Sequence, residues 1–144
     1  MIDWGSELGQ RTLQRIEHEE VIWLTTVSPG GVPQPRPVWF VWEAGSFLIY
    51  STPLAWKLKH IAANPNVALH FNTDATGEDI QVILGKAALA LETPPADRNA
   101  AYIAKYAAGI AGLGMDAATY AATFTVALRI TPARLRGLEP IPEA

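Results

Sequence analysis

Hydrophobic positions in this chain fall into short β-rich runs, interrupted twice by stretches with helical spacing. Residues 21–27, VIWLTTV, are β-branched and aromatic, which predicts a strand. Ser28-Pro29-Gly30-Gly31 predicts a turn. Residues 32–35 resume extended structure, with alternating prolines that suit an edge or a bulge. Two apolar runs, 38–42 and 47–50, flank Glu43-Ala44-Gly45-Ser46, the pattern of a β-hairpin. Residues 67–71 and 79–91 predict two further strands, with Gly85 a bulge or a point of close approach. Residues 124–130 predict the last strand, closed by Pro132, with 133–138 extending along an edge.

Helical spacing appears between these runs. Ser6 can cap a helix over residues 7–18, whose apolar stripe is Leu8, Leu13 and Ile16. Thr52 can cap a second helix over 53–63, with Pro53 in its first turn and Leu54, Leu58, Ile61 and Ala62 on one buried face. An Ala-rich stretch predicts a helix over 96–108, broken by Gly109, Gly112 and Gly114, and a short one over 116–122. About six mostly sequential strands, without βαβ alternation, predict a mainly β fold with flanking helices, an antiparallel barrel. At 144 residues, without repeat or linker, the chain reads as a single domain over 1–144.

Composition narrows the function. The chain is 49% hydrophobic and 17% charged, hence globular, and its net charge of −3 argues against nucleic-acid binding. It has no cysteine, which removes thiolate metal sites and cysteine nucleophiles and fits a reducing cytoplasm. No signal peptide and no membrane span of about 18 apolar residues is expected. Five tryptophans point to aromatic surface at a ligand site or a subunit interface.

The chemistry concentrates between Gln34 and Lys59. A strand runs into a helix start at Ser51-Thr52, with Arg36 upstream and Lys57 and Lys59 beyond. Backbone N–H groups, the helix dipole and these cations can hold a phosphate. Equally, Thr52 can be a plain helix cap and the lysines a solvated face. Lys57 and Lys59 are two apart on a helix and point in different directions, so at most one meets the same anion as Thr52. His18, His60 and His70 match no metal spacing, and His60, one turn after Lys57, falls near the rim of this region. Tyr102 and Tyr106 share a helix face and pack, or line a cleft. No nucleophile triad or acid–base pair stands out, as expected where a cofactor carries the chemistry.

Arg36-Pro37-Val38-Trp39-Phe40, Tyr50-Ser51-Thr52 with Lys57 beyond, and Gln81-Val82-Ile83-Leu84-Gly85 together resemble the flavin-binding split β-barrel superfamily typified by pyridoxamine 5′-phosphate oxidase. Ala55 and Trp56 stand where that enzyme has Ser-Arg. Pro37–Phe40, Ser51–Lys59, Asn64-Pro65-Asn66-Val67 and Ile130-Thr131-Pro132-Ala133-Arg134 are similar to the actinobacterial deazaflavin-dependent branch. The resemblance implies a six-stranded antiparallel split barrel and a homodimer with cofactor sites at the interface. It implies an oxidoreductase in which reduced coenzyme F-420 passes a hydride to an unsaturated or conjugated small molecule. FMN in the same fold, or a non-catalytic carrier or sensor, are the alternatives. The sequence lacks the C-terminal extension with which the oxidase binds its substrate, so vitamin B6 oxidation is not expected.

By the same resemblance, Lys57, Ser51 and Thr52 hold the phosphate, and Arg36 or Lys59 meets the anionic tail. Pro37, Val38 and Trp39 line the ring, Tyr50 belongs to the matched segment, and Gln81 bonds the ring or ribityl chain. Trp56, Tyr102 or Tyr106 wall the substrate side. No side chain is assigned as catalytic and no metal is expected.

Overall fold

The computed structural model describes residues 1–138. Glu7–His18 (α1) forms as expected, with the Ser6 hydroxyl accepting from the Gly9 N–H at 3.0 Å. Seven strands follow: Ile22–Val27 (β1), Pro33–Val38 (β2), Val41–Glu43 (β3), Ser46–Ser51 (β4), Asn66–His70 (β5), Val82–Leu89 (β6) and Val126–Arg136 (β7). All neighbours pair antiparallel in the order β2-β1-β5-β6-β7-β4-β3. The two ends of that order, β2 and β3, are consecutive in the chain and separated only by Trp39-Phe40. The sheet is therefore bent round until its edges meet, as a split barrel. Phe40 sits in the seam, fully buried, against Phe47 and Phe71.

The extra strand arises where a continuous run over 38–42 is expected. Pro33, Pro35 and Pro37 alternate, so the remaining N–H groups of β2 lie on one side and the strand pairs with β1 alone. The chain then leaves that edge at Trp39 and starts the opposite edge at Val41. The β3–β4 hairpin closes through Ala44 and Gly45, both at positive φ (52° and 75°), as a two-residue turn requires.

Trp56–Ala63 (α2) corrects the second helix. It starts three residues later than expected, its cap residue is Ala55, and no side chain caps it, so Thr52 is not a helix cap. Leu54 lies outside the helix and is 92% exposed, and Ala62 is also exposed; His60 and Ile61 carry the buried face. β7 likewise passes through Pro132 instead of stopping there. Pro132 lies opposite Gly85 at a register shift, where a missing N–H breaks no regular ladder. A Cβ on Gly85 would come 2.5 Å from the Thr131 carbonyl oxygen, so the predicted close approach is real.

Between β6 and β7, a 3₁₀ turn at Ala96–Arg98 leads into Ala100–Gly112 (α3) and then Ala117–Thr123 (α4). Asn99 and Asp116 cap these helices. Gly109 does not break α3. It lies within the helix because Trp39 packs there: a Cβ would come 3.0 Å from the indole. The break falls at Gly114, with φ +75°.

β4 is buried on both faces and joins two cores. Phe47 and Ile49 face the barrel interior with Ile22, Leu24, Leu69 and Leu128. Leu48 and Tyr50 face α3 and α4 with Tyr102, Tyr106 and Tyr120. Among the described residues no helix is long and apolar enough to cross a membrane.

Candidate functional site

Two adjoining cavities occupy the end of the barrel where β2 meets α2. The first, about 560 Å³, is lined by Thr26, Gln34, Arg36, Trp56, Lys57 and His60 among others. Strand pairing builds it. Thr26 lies opposite Gln34, and Leu24 opposite Arg36, so Gln34 and Arg36 fall on the face that also carries buried Leu24 and Thr26. α2 lies over that face with Lys57 and His60 one turn apart. His60 is 7% exposed, and its Nδ1 lies 2.8 Å from the Thr26 hydroxyl.

The charges in this cleft are not compensated. Among the described residues no carboxylate forms an ion pair with Lys57 or Arg36. Arg36 Nη1 donates only to the neighbouring Pro35 carbonyl, at 2.9 Å. Burial, and then the nearby Arg36, hold the Lys57 ammonium below the usual lysine range. The partly buried Lys57 and the exposed Arg36 disfavour each other, an arrangement that an anion can stabilise.

The second cavity, about 360 Å³, is lined by Val21, Trp39, Tyr50, Leu113, Tyr120 and Phe124, together with Val38. Pro37 and Lys57 line both cavities. The walls of the second are aromatic. Trp39 stacks on Tyr106 at 4.6 Å and 5°, and lies 5.7 Å and 18° from Tyr120. Tyr120 stacks on Phe124 at 4.4 Å. Tyr106 fixes the seam beneath, because its hydroxyl accepts from the Phe40 N–H at 2.8 Å and lies 2.8 Å from the carbonyls of Phe40 and Glu20. Lys105 adds a bond to the Phe40 carbonyl at 2.9 Å, and its ammonium, pushed down to about 8 mainly by burial, lies 3.6 Å from the Phe40 ring centre.

The residues singled out in the sequence thus divide. Arg36, Pro37 and Lys57 meet in the cationic cleft, with Trp56 at its edge. Val38, Trp39 and Tyr50 line the aromatic cavity. Tyr50 is pinned, donating to the Pro94 carbonyl at 2.7 Å and accepting from Asn99 at 3.2 Å. Ser51 is buried and donates to the Thr52 carbonyl at 3.1 Å; neither Ser51 nor Thr52 lines these cavities. Lys59 turns to the exposed face of Trp56, 5.1 Å from the ring centre. Gln81 is buried elsewhere, donating to Asp79 at 2.7 Å and accepting from Arg15 at 2.8 Å. Tyr102 and Tyr106 are buried behind the aromatic wall.

Thr26, Gln34, Tyr120 and Phe124 were not singled out from the sequence. The turn at residues 28–31 contains the signal for the first pair, since it sets Val27 opposite Pro33 and hence Thr26 opposite Gln34. No local signal marks the second pair, because α4 reaches Trp39 only through the tertiary fold. A larger groove of about 880 Å³ lies beside the β3–β4 turn, but its Arg129 is already satisfied by Glu43 at 3.6 Å and Ser46 at 2.8 Å. Among the described residues no cluster of three or more His, Asp or Glu is placed to hold a metal ion.

The family profile described as pyridoxamine 5′-phosphate oxidase matches residues 8–139. Solved structures share the fold at low identity. A Listeria innocua protein, provisionally described as a pyridoxamine 5′-phosphate oxidase, is 24% identical over 92% of this chain and 98% of its own, with a TM-score of 0.64. An F-420 reductase is 21% identical over 85% of this chain and 94% of its own, with a TM-score of 0.64. The heme storage protein HutZ of Vibrio cholerae is 15% identical over 92% and 95%, with a TM-score of 0.63. No curated protein sequence matches the chain.

Proposed function

This chain belongs to the pyridoxamine 5′-phosphate oxidase family, and from that premise we propose that it is an oxidoreductase that uses reduced coenzyme F-420. The observation that carries the reading is the uncompensated pair Arg36 and Lys57 in one partly buried cleft. The partly buried Lys57, held beside the exposed Arg36 without a carboxylate partner, costs the fold stability and favours an anion that enters. A phosphate-bearing cofactor fits that donor set. Lys57 would hold the phosphate, Arg36 the anionic tail, and Gln34 and Thr26 would offer neutral hydrogen bonds. Ala55 carries no side-chain donor, so the grip rests on these cations and favours a polyanionic tail over the single terminal phosphate of FMN.

The ring would lie against Pro37, which with Lys57 is common to both cavities. When bound, a reduced deazaflavin supplies a hydride, two electrons and one hydrogen, to an electron-poor carbon of a conjugated acceptor; solvent supplies the balancing proton. The chain's own task is to orient the reactants and exclude water. Gln81 lines neither cavity, so its expected contact with the cofactor would require a second subunit, and a homodimer is part of the proposal.

Fluorescence titration of the purified chain with coenzyme F-420 tests the reading. Saturable binding that tightens at low salt is expected. A protein that binds FMN and not the deazaflavin would replace the cofactor assignment, and one that binds neither would remove it.

A further inference from the structure

Lys105 lines neither the cationic cleft nor the aromatic cavity and takes no part in the proposed hydride transfer. We propose that Lys105 is a covalent capture site for small neutral aldehydes with an apolar body, which it holds as an imine. The site is a third cavity, which shares no lining residue with the other two.

That cavity has a volume of about 410 Å³, in the range of small-molecule sites. Leu13, Ile16, Val41, Trp42 and Ala101 form most of its wall. Among the lining side chains only Lys105, Glu17 and the Trp42 indole N–H are polar, so the hydrocarbon part of a ligand leaves water there. Trp42 is held edge-on against Trp4 and Phe47, which fixes the wall opposite the amine's own helix.

The amine is prepared for attack. Nζ donates to the Phe40 carbonyl at 2.9 Å, so the neutral amine turns an N–H to that oxygen and keeps its lone pair for an electrophile. Among the described residues no carboxylate forms an ion pair with it. Burial holds it down to about 8 against the opposing pull of Glu20 and Glu19, which leaves free amine near neutral pH. The amine adds to the aldehyde carbon, forming an N–C bond and a carbinolamine. The hydroxyl then leaves as water with a solvent proton, the C–O bond breaks, and an iminium remains. No electrons are exchanged with another reactant. The iminium keeps the positive charge and one N–H, so the bond to the Phe40 carbonyl and the place over the Phe40 ring, 3.6 Å from its centre, both survive capture.

The surrounding carboxylates select the electrophile. Glu17 lines the cavity, and Glu19 and Glu20 act on Lys105. They repel an anionic electrophile such as an acyl phosphate, whereas a neutral aldehyde yields a cation that they favour.

Reductive trapping of the full chain with benzaldehyde and cyanoborohydride, read by peptide mass spectrometry, tests the proposal across the four lysines Lys57, Lys59, Lys86 and Lys105. At about pH 7.5 an amine titrating near 8 offers about two hundredfold more free base than an ordinary lysine; after its weaker nucleophilicity, Lys105 should be labelled about tenfold faster than the exposed Lys59 and Lys86. The preference should vanish in the urea-denatured chain. Ala101→Phe, at an exposed position on the wall, should slow labelling at Lys105 to the rate of the exposed lysines and leave those lysines unchanged. With para-carboxybenzaldehyde, whose carboxylate meets Glu17 here but Arg36 beside Lys57, the Lys105-to-Lys57 labelling ratio should fall about fivefold. Lys105 labelled no faster than Lys59 and Lys86, a preference that survives denaturation, or labelling unaltered in Ala101→Phe would each overturn the site. An unchanged ratio with the anionic aldehyde would overturn its selectivity for neutral ligands.

Discussion

The two cavities share a wall yet are built on opposite terms. In the aromatic one, rings stack face to face and each tyrosine hydroxyl has a partner, so the wall contributes to stability whether or not a ligand is present. In the cationic one, Lys57 is partly buried beside the exposed Arg36 without a carboxylate, so its ammonium opposes folding and an anion there would relieve that cost. The contrast separates residues that make the site from residues that work in it. Trp39 and Tyr106 hold the seam where the barrel closes, and on the proposed function Lys57 and Arg36 would hold charge for a ligand.

The contrast can be broken most forcefully at Tyr106. Tyr106→Ala removes a buried ring from the Trp39 stack and leaves the Phe40 N–H without its acceptor. It should lower unfolding free energy by about 3–5 kcal/mol in a denaturant titration. A loss below about 1 kcal/mol would show that the seam does not depend on the aromatic side.

Lys57→Ala should do the reverse. Cofactor affinity is expected to fall by about 1–3 kcal/mol, while thermal stability stays level or rises because a desolvated cation is gone. An unaltered titration curve would make Lys57 a structural residue and erase the distinction between the cavities.

Next in size is the pH response of Lys105. Its folded-state value of about 8 lies below the ordinary lysine range, so between about pH 8 and 10 the unfolded chain binds the extra proton. Stability contributed by this group therefore rises with pH across that window, and below it the fold carries a constant penalty. Glu19 and Glu20 act against the shift, and Glu17 lines the same small cavity. Lys105→Met should flatten that rise in melting temperature relative to wild type; parallel curves would contradict it. The smallest effect belongs to Lys59→Ala, which should change both cofactor affinity and stability by no more than about 0.5 kcal/mol, because its ammonium lies on the exposed face of Trp56.

Much of the fold was legible in local pattern. The Ser6 cap and the following helix and the hairpin at Ala44-Gly45 each follow from residues that meet one another nearby or need an unusual backbone, and the glycine itself marked the irregularity at Gly85 although its close neighbour, Thr131, lies across the sheet. The misreadings have a common cause. Thr52 looked like a cap because it precedes a helical pattern, but the helix starts only at Trp56. Gly109 looked like a break, yet it lies inside α3 because Trp39, seventy residues earlier, occupies the space a Cβ would need. Pro132 looked like a stop, but its partner across the sheet is a bulge.

The site divides along the same line. Its cations are recognisable by type and order, since Arg36 and Lys57 flank a hairpin whose register the turns set. Their lack of carboxylate partners is a property of the packed molecule. So is the aromatic cavity, assembled from β2, β4, α3 and α4 only after the sheet has closed at Trp39-Phe40. By itself the sequence determined most of the strand runs, the Ser6 helix cap and the charges available for a ligand, because these depend on side-chain periodicity and backbone preference within a few residues. The tertiary structure alone decided which charges stay uncompensated and which rings come to face one another, because those depend on distances between segments far apart along the chain.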